Sequence, residues 1–116
     1  MSVRRVVPNI PSDAPAQSRE FYGLLGFEEV MNHGWIMTLA SPAVPTAQIS
    51  LYAAADRTAP VTPDMSVEVD DVDAAYAAVR DSGAEIVPPL QDEEWGVRRF
   101  FVRDPDGRVV NVLSHR

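Results

Sequence analysis

The chain contains no cysteine. That excludes disulfides, thiolate metal ligands and a Cys nucleophile, and it fits a reducing, cytoplasmic setting. Histidine is nearly absent as well. His33 falls in an expected turn and His115 at the chain end, so both are expected in solvent. No apolar run approaches the length of a membrane span, and the first residues lack the apolar core of a signal peptide, so no membrane partner is expected. There is no P-loop, no glycine-rich dinucleotide fingerprint and no evident Ser/His/Asp set. Positive charge is in deficit: 10 Lys and Arg stand against 17 Asp and Glu, a net charge of -7. Such a surface repels phosphate backbones, which argues against nucleic acid as a partner.

What is present is enough for a packed core. Hydrophobic residues make up 46% of 116 positions, which suits one domain or two very small modules. The most informative stretch runs from Trp95 to Leu113. Two β-rich runs, Val97 to Arg103 and Arg108 to Leu113, flank Asp104-Pro-Asp-Gly107. Pro105 presets a turn and Gly107 can take positive φ, so the segment reads as a β-hairpin with a four-residue loop. Counting back from that loop pairs Val102 with Val109, Phe100 with Asn111, and Arg98 with Leu113. One face would then carry Arg98, Phe100 and Asn111, the other Arg99, Phe101, Val110 and Val112.

The rest of the chain contains one pattern twice. Val3 to Ile10 reads as a strand. Ser12 or Asp13 caps a helix reaching about Leu25, with Phe21, Leu24 and Leu25 as its apolar face and Gly26 as its stop. Strands follow at Glu28 to Asn32, Trp35 to Ala40 and Ala47 to Ala54. Ala55 to Pro63 reads as a linker. Then Asp64 to Val69 is a strand, and Asp70 or Asp71 caps a helix with the buried stripe Val72, Ala75, Tyr76 and Val79. Gly83 ends it, Glu85 to Val87 is a short strand, and the hairpin completes the half. Each half is strand, helix, strand, strand, strand. The chain is thus expected to be α+β, a single domain of two βαβββ modules at about 3–55 and 64–114.

Phe21-Tyr-Gly-Leu-Leu-Gly-Phe27, Val69-Asp-Asp-Val-Asp-Ala-Ala-Tyr76, Trp95-Gly-Val-Arg98 and Asp104-Pro-Asp-Gly107 resemble the vicinal oxygen chelate superfamily. That group includes glyoxalase I, extradiol dioxygenases, fosfomycin-resistance transferases and bleomycin-resistance proteins. Val7-Pro-Asn-Ile-Pro-Ser12 is similar to the bleomycin-resistance branch. The resemblance implies curved mixed sheets around a cavity, helices on the outer face, and a homodimer.

With that frame, strand alternation divides the side chains. Val6, Ile10, Ile49, Leu51, Met65, Val67 and Val69 would pack beneath the helices. Val7, Asn9, Gln48, Ser50, Tyr52, Asp64, Ser66, Glu68, Arg98, Phe100 and Asn111 would face the cavity. Trp95, beside the acidic run Gln91-Asp-Glu-Glu94, would stand at its rim, and Trp35 is either a second stacking surface or core. The resemblance places the superfamily's metal ligands at Val7, Ser50, Asp64 and Asn111. Only Asp64 is a good hard ligand, and Glu68 lies roughly 13 Å along the same strand, so no metal or other cofactor is expected. Glu68 with Arg98 is either an acid/base pair or an ion pair. Three functions stay open: a metal-free binder that sequesters a small molecule such as a bleomycin-class antibiotic, a superfamily enzyme acting on a small metabolite, and a sensor or interaction module. The aromatic and acidic cavity list favours a planar, cationic ligand.

Overall fold

The computed structural model describes residues 1–53 and 62–116. The expected linker Ala55 to Pro63 lies largely outside them. Strands β1 (Val3–Pro11), β2 (Glu28–Asn32), β3 (Ile36–Ala40) and β4 (Gln48–Tyr52) accompany helix α1 (Pro15–Gly23). Strands β5 (Met65–Val69), β6 (Gln91–Asp92), β7 (Val97–Arg103) and β8 (Val109–His115) accompany helix α2 (Val72–Asp81). The chain divides into two units, Val7–Pro60 and Met1–Val6 with Val61–Arg116. β1 therefore lends its first residues to one unit and its last to the other.

In the first of these units the strands run β2, β3, β4, β1. β3 pairs antiparallel with β2 and β4, while β1 runs parallel to β4 with Asn9 opposite Ser50. Alternation sends Met37, Leu39 and Leu51 to one face, where Ile10, Tyr22, Phe27 and Ile49 pack on them. The apolar face expected for α1 is corrected here. The helix ends at Gly23, Leu24 is its C-cap, and Phe21, Leu24 and Leu25 are all exposed, Leu24 by 84%. A 3.6-residue period carried past the last helical residue has no face to define. Tyr22 is the residue that turns to the sheet, edge-on to Phe27 at 6.1 Å. Neither Ser12 nor Asp13 caps α1. Its N-cap is Ala14, with no side-chain hydrogen bond.

In the other unit the order is β1, β5, β8, β7, β6. α2 forms as its sequence implies. Asp71 accepts the Ala74 N–H at 3.0 Å, and Gly83, at φ +80°, follows the C-cap Ser82. Val69, Val72, Ala75, Phe100, Val102 and Val112 form the core beneath it, with Tyr76 and Val79 packed against them. The expected strand at Glu85 to Val87 is reduced to a single bridge, Ile86 to Val102, and the edge strand is Gln91–Asp92.

The hairpin register is shifted by one residue from the expected pairing. Val102 faces Val110, Phe101 faces Asn111, Phe100 faces Val112, and Arg98 faces Ser114. The reason lies in the turn. The Asp104 N–H donates to the Arg108 carbonyl at 2.8 Å, and the Asp104 carboxylate accepts the Arg108 and Asp106 N–H groups. These bonds draw Arg108 out of the strand and into the loop. A one-residue slip in one strand exchanges its faces. Phe100 and Arg98 consequently lie on the α2 side, and Arg99 and Phe101 join Asn111 on the other.

Candidate functional site

The face of β5, β8 and β7 turned away from α2 carries several polar side chains. Asp64, Ser66 and Glu68 project there by the alternation that buries Val67 and Val69 under α2. Asn111 and Leu113 join them from β8, opposite Ser66 and Glu68. The Asn111 amide donates to Ser66 Oγ at 3.1 Å. Asn111 is only 8% exposed, and its Oδ1 is buried without a hydrogen-bond partner among the described residues. A buried unpaired acceptor costs stability unless a donor reaches it.

The carboxylates of this face are already engaged. Asp64 Oδ2 accepts the Val109 N–H at 2.8 Å, and its own N–H donates to the Val109 carbonyl, fixing the start of β8. Glu68 pairs with Arg5 of β1 at 3.0 Å through one oxygen and with His115 Nδ1 at 3.0 Å through the other. The expected Glu68–Arg98 pair does not form. Arg98 instead bridges Asp73 of α2 at 3.0 Å and Asp92 of β6 at 3.1 Å. Hydrogen bonds from Arg98 to Asp73, then to Asp92, push its pKa above the ordinary arginine value. Phe100 is 0% exposed and meets Tyr76 edge-on at 5.1 Å, so it is a packing residue.

His115 and Glu68 line an open pocket of about 260 Å³ together with Arg4, Val69, Asp70 and Ser114. Asp70 accepts the Ser2 N–H at 2.8 Å, the principal cause that holds its carboxyl below the usual range. Ser114 is fully used: its Oγ donates to the Val69 carbonyl and accepts the Val72 N–H that opens α2. A larger pocket of about 510 Å³, lined by residues of 82–85 and of the β7–β8 turn, contains none of the expected ligand-facing residues.

The β6–β7 loop presents Trp95, 57% exposed. The Arg99 guanidinium lies 5.1 Å from the Trp95 ring centre and 4.8 Å from that of Phe101. Sequence reasoning missed Arg99, Phe101, Arg5 and His115. The hydrogen-bonding capacity of Asp104 for its turn was the signal for the first two. Arg5 and His115 reach Glu68 from the two strands that flank β5, both far away in sequence, for which the local pattern holds no cue.

In the other unit, Ser50 bonds the Thr38 hydroxyl at 2.9 Å and Gln48 donates to the Pro45 carbonyl. Asn9 stands opposite Ser50, and Tyr52 opposite Ile36. Trp35 sits just before β3, neither core nor strand.

The four positions assigned to metal ligands do not fit a divalent ion. Val7 has no donor atom, the Ser50 hydroxyl is paired with Thr38, and one Asp64 oxygen holds a backbone N–H. Among the described residues no three His, Cys, Asp or Glu side chains gather as a metal site. No helix among them is long and apolar enough to cross a membrane.

Comparison with known proteins places these observations. A model of the Glyoxalase/Bleomycin resistance protein/Dioxygenase superfamily matches residues 5–112, and the chain belongs to that superfamily. No curated protein matches it in sequence. A glyoxalase/bleomycin resistance protein/dioxygenase superfamily member from Vibrio splendidus is similar in structure, with a TM-score of 0.69 and 20% identity over 97% of this chain and 99% of that one. A Legionella pneumophila structure described as an NAD-dependent benzaldehyde dehydrogenase gives 0.72 and 20% over 96% and 99%. Methylmalonyl-CoA epimerase from Mycobacterium tuberculosis gives 0.66 and 21% over 98% and 87%. At such identities the likeness shows the fold alone, and the fold is the α+β glyoxalase/bleomycin resistance type.

Proposed function

We propose that this protein binds an organic small molecule directly, without a metal ion, and acts as a cytoplasmic homodimer whose two repeats are modules of one domain. The observation that carries the binding reading is Asn111. Its Oδ1 is an acceptor without a hydrogen-bond partner among the described residues, at a position where the resemblance places a ligand in metal-using members of the superfamily. Trp95, 57% exposed, adds flat apolar surface on the same unit, which suits a planar, amphipathic molecule, an antibiotic of the bleomycin class among the candidates. The preference for positive charge loses its central groups. It rested on Phe100 and Tyr52 with Asp64 and Glu68, on Trp95 beside the acidic run and on the net charge of -7, and its central groups Asp64, Glu68 and Phe100 are engaged elsewhere.

The test has two arms. Protein purified without chelator and incubated with zinc, nickel or manganese should retain far less than one ion per chain. A panel of planar compounds should raise the melting temperature, and Asn111→Leu should abolish the rise for those that donate a hydrogen bond. One tightly held ion per chain would sink the reading. A superfamily enzyme is the second reading, and one observation favours it. His115 is oriented by Glu68, which is itself fixed by Arg5, beside an open pocket. That is the arrangement of a general base with its orienting carboxylate. Turnover of any small metabolite that His115→Gln abolishes would put this reading first.

A further inference from the structure

We propose that Arg99 is a specificity-determining residue that selects a planar anion, a carboxylate carried on a flat or aromatic group. The inference rests on the ligand-binding reading above and deepens it. Arg99 stands opposite Leu113 in β7–β8, so it shares the face of Asn111 and Phe101. Its side chain is 18% exposed, and its Nε donates to Glu93 Oε1 at 3.4 Å, a carboxylate itself only 14% exposed. Two aromatic rings lie against the guanidinium.

The Nη1 and Nη2 groups, by contrast, donate to nothing among the described residues, and neither is sealed from solvent. Arg99 thus has its Nε committed, its π-surface covered and its terminal fork open. A guanidinium fork matches the two oxygens of a carboxylate in one plane. The adjoining rings lower the local dielectric and strengthen that contact. Trp95, beside the fork, offers its exposed ring to whatever carries the anion.

The loop that holds Trp95 in place is well tied. Glu93 N–H donates to the Val97 carbonyl at 2.8 Å and Gly96 N–H to the Glu93 carbonyl at 3.2 Å. Arg116 closes it from outside, through its N–H to Gly96 and its guanidinium to the Glu93 carbonyl. Gly96 takes φ +89°, a conformation other residues rarely adopt. The aromatic wall and the fork are therefore positioned before any ligand arrives. Glu93 orients Arg99 but also competes for it, which gives a signed prediction for its removal.

The experiment compares benzoate, benzamide and benzamidine, followed by tryptophan fluorescence, by calorimetry, and by the side-chain NMR signal of Arg99 in the unaltered protein. Benzoate should bind best and shift the Arg99 signal. Arg99→Lys, which keeps the charge but loses the fork, should weaken benzoate about tenfold or more and leave benzamide unchanged. Glu93→Gln should tighten benzoate, because the competing carboxylate is gone. Benzamide and benzoate binding equally, with no response to Arg99→Lys, would overturn the assignment while leaving the ligand-binding reading intact. Benzamidine binding best would overturn it as well. No binding of any of the three, with no movement of the Arg99 signal, would overturn both.

Discussion

Replacing Phe100 with alanine separates the observed register from the one its sequence suggests. The ring is 0% exposed, lies edge-on to Tyr76 at 5.1 Å, and fills the core between β7 and α2. Truncating a buried phenylalanine costs about 3–5 kcal/mol, as lost transfer energy plus the cavity left behind. At about 2.1 cal/mol/K per residue, a chain of 116 residues loses roughly 12–20 °C of melting temperature for that cost. Differential scanning calorimetry reads it directly, and Phe100→Leu should recover much of the loss. If Phe100 faced a ligand, as pairing with Asn111 would require, alanine would cost affinity and leave the melting temperature nearly unmoved. That result would refute the register argument and every face assignment built on it.

Light scattering at micromolar concentration should give about twice 12.7 kDa, since Phe21, Leu24 and Leu25 leave apolar surface that a second copy can cover. A strict monomer would contradict the proposed assembly. Asp71→Ala should destabilise the fold by roughly 1 kcal/mol through loss of the α2 cap, read by urea denaturation. Acid should loosen the β7–β8 turn. Desolvation works against ionisation of Asp104, yet the N–H groups of Arg108 and Asp106 outweigh it, and its carboxyl sits below the usual value. A pKa lowered on folding means the charged form stabilises the fold at and above the ordinary carboxylate range, and the contribution vanishes as pH falls through the lowered value. Asp104→Asn should flatten that part of the stability profile, and an unchanged acid limb would refute the assignment.

The particular elements show what local pattern can and cannot carry. α2 was legible because cap, stripe and terminal glycine all lie within one short stretch. β5 was legible as a strand because its alternation is strict. The hairpin was legible as a hairpin, but its register hung on whether Arg108 belongs to the strand. Asp104 settles that with side-chain bonds to the backbone, which residue type permits and spacing alone does not announce. The consequence was concentrated in the candidate site, where one residue of slip exchanged Arg98 and Phe100 for Arg99 and Phe101. The state of Glu68 was illegible for another reason: Arg5 and His115 are brought to it only by tertiary pairing.

The unequal start of the two helices has a consequence in time. α2 opens with its first amides held, Val72 by Ser114 and Ala74 by Asp71, over buried Val72 and Ala75. α1 opens at Ala14 without a side-chain cap, and none of its residues is buried. Local opening needs little free energy where few contacts must break. Amide hydrogens of α1 should therefore exchange with deuterated solvent through frequent fraying of that helix alone. Those of α2 should wait for a far larger opening of the unit it covers. The chain would then report two distinct opening energies, one for each copy of the repeat.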